Sequence, residues 1–200
     1  MPASFQIIVC LRMNIFLSLL KGRFRSLSIW FPAAHRFVSG DDMKKPTWKQ
    51  YAFWIGLTEA AGLLSGWLTR EGTQIYAEML QKPPLSPPGW VFGVVWTVLY
   101  ALMGISAALV WAAPPSRERS RGLNLFIGQL VVNFFWSPIF FNAGAYGFAL
   151  LWLLLLWALV ALMILQFSKV DKTAALLQIP YLLWLTSAAY LNYGVWQLNR

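Results

Sequence analysis

Two residue types that carry much of soluble protein chemistry are almost missing from this chain. Its 200 residues contain one cysteine and one histidine. Both Cys10 and His35 lie near the amino terminus, so the rest offers no thiol framework and is a poor host for structural zinc or a histidine-ligated haem. Neither a metal site nor a resident cofactor is expected. Acidic residues are also scarce, seven against sixteen lysines and arginines, and charged residues make up 12% of the chain, where soluble domains carry about 25%. The sequence contains no Ser–His, Cys–His or paired-carboxylate arrangement, which argues against conventional hydrolysis and acyl transfer. The net charge of +9 does not point to nucleic acid, because the basic residues are scattered between apolar runs rather than gathered on one face.

What is present is apolar and aromatic. Hydrophobic residues make up 58% of the chain, and 12 residues are tryptophan. A soluble domain of this size could not hide so much apolar surface, whereas lipid removes the need to. Apolar runs of about 20 residues are needed to cross a bilayer core. Five can be read, giving an all-α, five-transmembrane-helix bundle: Tyr51 to Leu68, Trp90 to Ala112, Leu123 to Phe141, Tyr146 to Phe167 and Ala174 to Leu198. Charged, Pro-rich or Gly-containing turns separate them. The connection from Thr69 to Gly89 is the longest, and Tyr76 to Gln81 is expected to form a short surface helix within it.

Charge bias sets the expected orientation. Lys44, Lys45, Lys49, Arg117, Arg119, Arg121, Lys169 and Lys172 fall on one side; Arg70, Lys82 and Arg200 fall on the other. The amino-terminal flank is therefore expected in the cytoplasm, in a bacterial cell membrane. Residues 1–43 form a basic, apolar extension to the membrane domain at 44–200. Two readings stay open for it: a targeting or surface-lying segment, or residues that are not translated at all because the true start is Met43. Mass spectrometry of the native amino terminus separates them.

Within the spans, three helices can each turn a deep tryptophan toward a common interior. Asn133, Trp136 and Phe140 share one face of the third span, and a buried amide must face protein or a cavity. Pro138 frees the carbonyl of Phe134 and is expected to kink the helix. Tyr181, Trp184, Ala188 and Leu191 share a face of the fifth span, where Pro180 frees the carbonyl of Leu176. The second span offers Trp96 and Tyr100 beside Gly93, Thr97 and Gly104. A packed aromatic core explains any one of these tryptophans. The three together, flanked by small residues and kinks, fit a pocket for a large, flat, apolar ligand. Gly62 and Gly66 form a GxxxG pair that suits either a homodimer or packing within the bundle. Glu59 is the one acidic residue at membrane depth; it marks either function or a snorkelling or paired carboxylate. Such sparse charge counts against ion-coupled transport.

Three stretches carry a family resemblance. Lys82-Pro83-Pro84-Leu85-Ser86-Pro87-Pro88-Gly89-Trp90-Val91-Phe92 followed by Val95-Trp96-Thr97-Val98-Leu99-Tyr100 strongly resembles the TspO/MBR family. Asn133-Phe134-Phe135-Trp136-Ser137-Pro138-Ile139-Phe140-Phe141 resembles its third-helix motif. Pro180-Tyr181-Leu182-Leu183-Trp184 and Leu191-Asn192-Tyr193-Gly194-Val195-Trp196 resemble its fifth helix. The resemblance, over about Trp48 to Arg200, implies a five-helix bundle, often dimeric, that binds porphyrins in an intrabundle pocket capped by the first loop. It implies a receptor, sensor or translocator of tetrapyrroles, with porphyrin as ligand or substrate. The implied pocket residues are Trp96, Asn133, Trp136, Ser137, Trp184, Ala188 and Leu191; Tyr100, Tyr181 and Pro87 join them as expected ligand contacts. Photo-oxidative porphyrin degradation, known in some members, would fall to Trp96 and Trp184. Lys82 is either an anchor for a porphyrin carboxylate or a solvated interfacial lysine. The sterol pattern of mammalian members is incomplete, since Gln197 stands where it has a basic residue.

Overall fold

The computed structural model describes residues 45–200, and every described element is helical. The extension, Met43 as a start, Cys10, His35 and Lys44 lie outside the described residues. Helix α1 (Trp48–Leu68) opens on a capping box in which Thr47 and Gln50 satisfy each other's backbone. Helix α2 (Arg70–Met79) follows after the single residue Thr69. Helix α3 spans Gly89–Ala112, and α4 spans Arg117–Ser137 with a π-helical turn over Pro138–Asn142. Helix α5 (Tyr146–Phe167), a short α6 (Lys172–Leu177) and α7 (Ile179–Leu198) complete the chain.

Among the described residues, four stretches are long and apolar enough to cross a membrane: α3, α4 with its π turn, α5, and α6 continued by α7. Helix α1 has 21 residues, about 31 Å at 1.5 Å per residue, and packs along α3, which makes the fifth span. Its polar residues dilute its apolarity, but Thr58 and Ser65 turn inward. Helix α5 is apolar all round: Leu153, Leu156, Val160, Met163 and Phe167 are buried, whereas Leu151, Leu154, Leu155, Leu162 and Leu165 face outward. That distribution suits a helix with core on one side and lipid on the other. Small residues let α3 sit close to its neighbours. Gly104 lies against the backbone of Ile55, and the Ser106 hydroxyl donates to the Ala174 carbonyl at 2.7 Å.

The structure refines several expected boundaries. The first loop's helix is Arg70–Met79 rather than Tyr76 to Gln81, because Thr69 interrupts the chain for only one residue. Its hydroxyl bonds back to the Ser65 carbonyl at 2.9 Å. Helix α4 begins six residues before Leu123, where Ser116 caps it by accepting from the Arg119 amide. Pro138 does not end the third span. The backbone widens into a π turn, with the Ala143 amide donating to the Pro138 carbonyl at 3.0 Å. The Phe134 carbonyl that Pro138 leaves free accepts instead from the Ser65 hydroxyl of α1 at 3.0 Å. The fifth span breaks at Gln178, so Pro180 sits in the first turn of α7, where a missing N–H costs nothing.

Candidate ligand-binding site

Helices α3 and α7 run antiparallel, and their aromatic residues meet in register. Phe92 lies edge-on to Trp184 with ring centroids 5.8 Å apart. One turn deeper, Trp96 lies edge-on to Tyr181 at 6.1 Å and stacks on Tyr100 at 5.3 Å. Trp96 and Trp184 are half-buried, whereas Tyr100 and Tyr181 are buried. The rings therefore form a ladder between the two helices, with partly open indole rings above a closed base.

The base is polar and hydrogen-bonded across three helices, with the buried Gln129 Nε2 left without a partner. The Tyr100 hydroxyl donates to Asn133 Oδ1 at 2.6 Å. Asn133 Nδ2 donates to the Tyr181 hydroxyl oxygen at 2.8 Å, and that hydroxyl donates onward to Gln129 Oε1 at 3.2 Å. One chain of hydrogen bonds thus joins α3, α4 and α7 at a depth where water is not available to replace it. On the α1 side, the Thr58 hydroxyl is within 2.8 Å of the Tyr100 carbonyl, and Gly62 leaves room for the Tyr100 ring.

Not every expected site residue joins this set. Trp136 and Ala188 pack against the same core as Trp96 and Trp184. Trp136 stacks on Phe140 at 5.1 Å and so also belongs to a second cluster with Ala149, Val195, Tyr76 and Tyr146. Ser137, Leu191 and Pro87 are half-buried and take no part in the hydrogen-bonded chain. Gln129 and Phe92 were not expected. Gln129 stands one turn before Asn133 in an apolar run, and that polar pair on one face is the signal that could have found it.

The first loop is held at the far end of α7. Asn199 Oδ1 accepts from the Gln81 amide at 3.0 Å, while Asn199 Nδ2 donates to the carbonyls of Gln81 and Val195 at 2.9 and 2.8 Å. The Tyr190 hydroxyl donates to the Pro84 carbonyl at 3.1 Å, and Pro83 rests on Gly194, where a Cβ would collide with its ring. Leu85 takes a positive φ of 70° at the third position of a turn closed by Ser86 N to Pro83 O. Lys82 is exposed; its ammonium donates to the Ala77 carbonyl at 2.7 Å and lies 5.2 Å from the Tyr76 ring. It thereby caps the carboxyl end of α2. Burial pushes the Tyr76 phenol above its ordinary range, and neighbouring Tyr146 adds to the effect. Asn199→Ala removes all three of its bonds. Amide exchange across residues 80–86 should then quicken roughly five- to thirty-fold, with α3 unchanged, a loss of about 1–2 kcal/mol of local stability. Hydrogen-exchange mass spectrometry reads this directly.

The helices and their tryptophan-rich interior define a multi-pass integral membrane protein. The TspO/MBR family model matches residues 54–197, and the chain belongs to that family. It is 38% identical to the translocator protein of Bos taurus over 158 residues, covering 78% of this chain and 93% of that protein. It is also 38% identical to the tryptophan-rich protein TspO of Chlorobaculum tepidum over 149 residues, covering 74% and 94%. The translocator protein of Homo sapiens is 43% identical over 132 residues, covering 65% and 78%.

Proposed function

We propose that this protein is a membrane receptor or sensor that binds a porphyrin against the aromatic ladder of α3 and α7. The observation that carries this reading is the pairing of half-buried Trp96 and Trp184 above the buried Tyr100–Asn133–Tyr181 base. Indole faces offer a flat macrocycle stacking area, and the Tyr100, Asn133 and Tyr181 groups below them are already paired with one another, so an apolar ring system can enter above them without breaking those bonds. Ala188 and Leu191 extend the same side of α7 toward the end held by the first loop. A translocator role uses the same site and would require saturable uptake by sealed vesicles.

The test is titration with protoporphyrin IX in detergent and darkness, followed by tryptophan quenching. Saturable micromolar binding is expected. The Trp96→Phe/Trp184→Phe double variant should bind roughly five- to a hundred-fold more weakly, since each indole contributes about 0.5–1.5 kcal/mol beyond its area. The same change at exposed Trp67 should leave affinity alone. Quenching that never saturates, or that ignores the double variant, rejects the reading.

A second reading is light- and oxygen-dependent porphyrin degradation. It is favoured by the stacking of Trp96 on Tyr100, two oxidisable rings in contact beside the proposed ligand. Illumination should then convert bound porphyrin to a new absorbing product, and the double variant should halt that conversion. Equal bleaching by the variant would make the effect ordinary photochemistry.

A further inference from the structure

Away from the aromatic ladder, α4 and α5 enclose an open groove of about 390 Å³ lined by Arg121, Asn124, Leu125, Gly128, Leu159 and Gln166. We propose that this groove binds an anionic phospholipid, its headgroup at Arg121 and one acyl chain running inward.

The register of the two helices carries the argument. At this end of the bundle Gly122 of α4 lies against the Phe167 ring of α5, so the start of one helix is paired with the end of the other. Arg121, Leu125 and Gly128 are spaced by four and three residues and share a face of α4; Leu159 and Gln166 are seven apart and share a face of α5. On both helices the groove therefore runs two turns, about 10 Å. Its mouth is polar, with one guanidinium and two side-chain amides. Its inner half is apolar, with Leu125, Leu159 and the bare backbone of Gly128. A Cβ at Gly128 would meet nothing within 4 Å, so the inner half is open to the width of a side chain.

In a bilayer an open apolar channel that faces outward is filled by lipid tails. What selects among lipids is the mouth. Arg121 makes no ion pair among the described residues, and a guanidinium with adjacent amide donors suits phosphate oxygens. The first turn of α4 and the turn after α5 add Arg117, Arg119 and Lys169 against Glu118 and Asp171, a cationic surplus that favours an anionic headgroup over a zwitterionic one. A second copy of the chain fits less well, because a two-fold contact centred here would bring Arg121 toward its own counterpart.

Native mass spectrometry of the full-length protein, released from mixed micelles of phosphatidylglycerol and phosphatidylcholine, tests the proposal. Wild type should retain phosphatidylglycerol at least fivefold over phosphatidylcholine. Arg121→Gln should abolish that preference. Gly128→Leu should block the inner half and reduce retention of both lipids severalfold, with the charge intact. Both residues are exposed, so the core is left untouched. Arg70→Gln, at the opposite end, should behave as wild type. Equal retention of the two lipids by wild type, or unaltered phosphatidylglycerol retention in both groove variants, overturns the proposal. So does a Gly128→Leu variant that loses a dimer while keeping its lipid, which would make the groove a contact between copies.

Discussion

Replacing Asn133 with leucine is expected to destabilise the bundle by about 2 kcal/mol, within the range of about 1–3 kcal/mol for a buried polar group left unsatisfied. The Tyr100 hydroxyl would lose the acceptor it uses at 2.6 Å. Tyr181 would lose an accepted bond but keep Gln129 as its own acceptor. Hydrogen bonds in membrane proteins average about 0.6 kcal/mol when measured one by one, so the orphaned phenol, rather than the count of bonds, dominates the loss. The remedy follows from the same reasoning. Tyr100→Phe added to Asn133→Leu removes the orphan, and the double variant should lose less than the sum of the two single variants. Unfolding in mixed micelles by added dodecyl sulfate, followed by tryptophan fluorescence, gives all four corners of the cycle. Strict additivity would mean that the two side chains are not coupled.

Gly104→Val should be at least as damaging, about 3 kcal/mol, at the upper end of the range for overpacked cores. A Cβ on Gly104 comes within 2.5 Å of Ile55 Cα and 2.7 Å of its nitrogen. These are backbone atoms of α1 and cannot swing aside as a side chain would. The helices must separate, and separation also stretches the contact of the Thr58 hydroxyl with the Tyr100 carbonyl at 2.8 Å. Gly66→Ala is the matched control. A Cβ there meets nothing within 4 Å, so alanine should be neutral or stabilise α1 by up to about 1 kcal/mol through helix propensity. If the two variants unfold alike, close approach of α1 and α3 is not what holds this pair.

The same contrast splits the GxxxG pattern into two halves. Gly62 serves the interior, because the Tyr100 ring occupies the space a side chain would need, whereas Gly66 faces outward. From sequence, the pair could only be read as one motif with two uses. The spans themselves were legible because apolar runs of this length have few other destinations. Their interruptions were less so. Pro138 and Pro180 both mark breaks, yet one is absorbed as a π turn rescued by Ser65 and the other begins a new helix after Gln178. Which remedy is used depends on what a neighbouring helix offers, and that is not written locally. Asn133 could be assigned to the interior because lipid cannot satisfy an amide. Its partners Tyr100 and Tyr181 were placed on the right faces by helical spacing, but Gln129 needed the third dimension. The helix of the first loop lies earlier than expected, at Arg70–Met79 rather than Tyr76 to Gln81, because Thr69 breaks the backbone for one residue only and the helix resumes at once.

The amide of Asn133 is used in both its halves, with oxygen toward α3 and nitrogen toward α7. Because the chain of donors runs one way, it works as a register key. Sliding α4 by one residue moves the amide about 1.5 Å and turns it about 100°, and both bonds are then lost with no water at hand to replace them. Apolar side chains in lipid tolerate many nearly equivalent arrangements. A keyed polar centre leaves one, and it holds Trp96 and Trp184 at a fixed relative height whether or not anything lies between them.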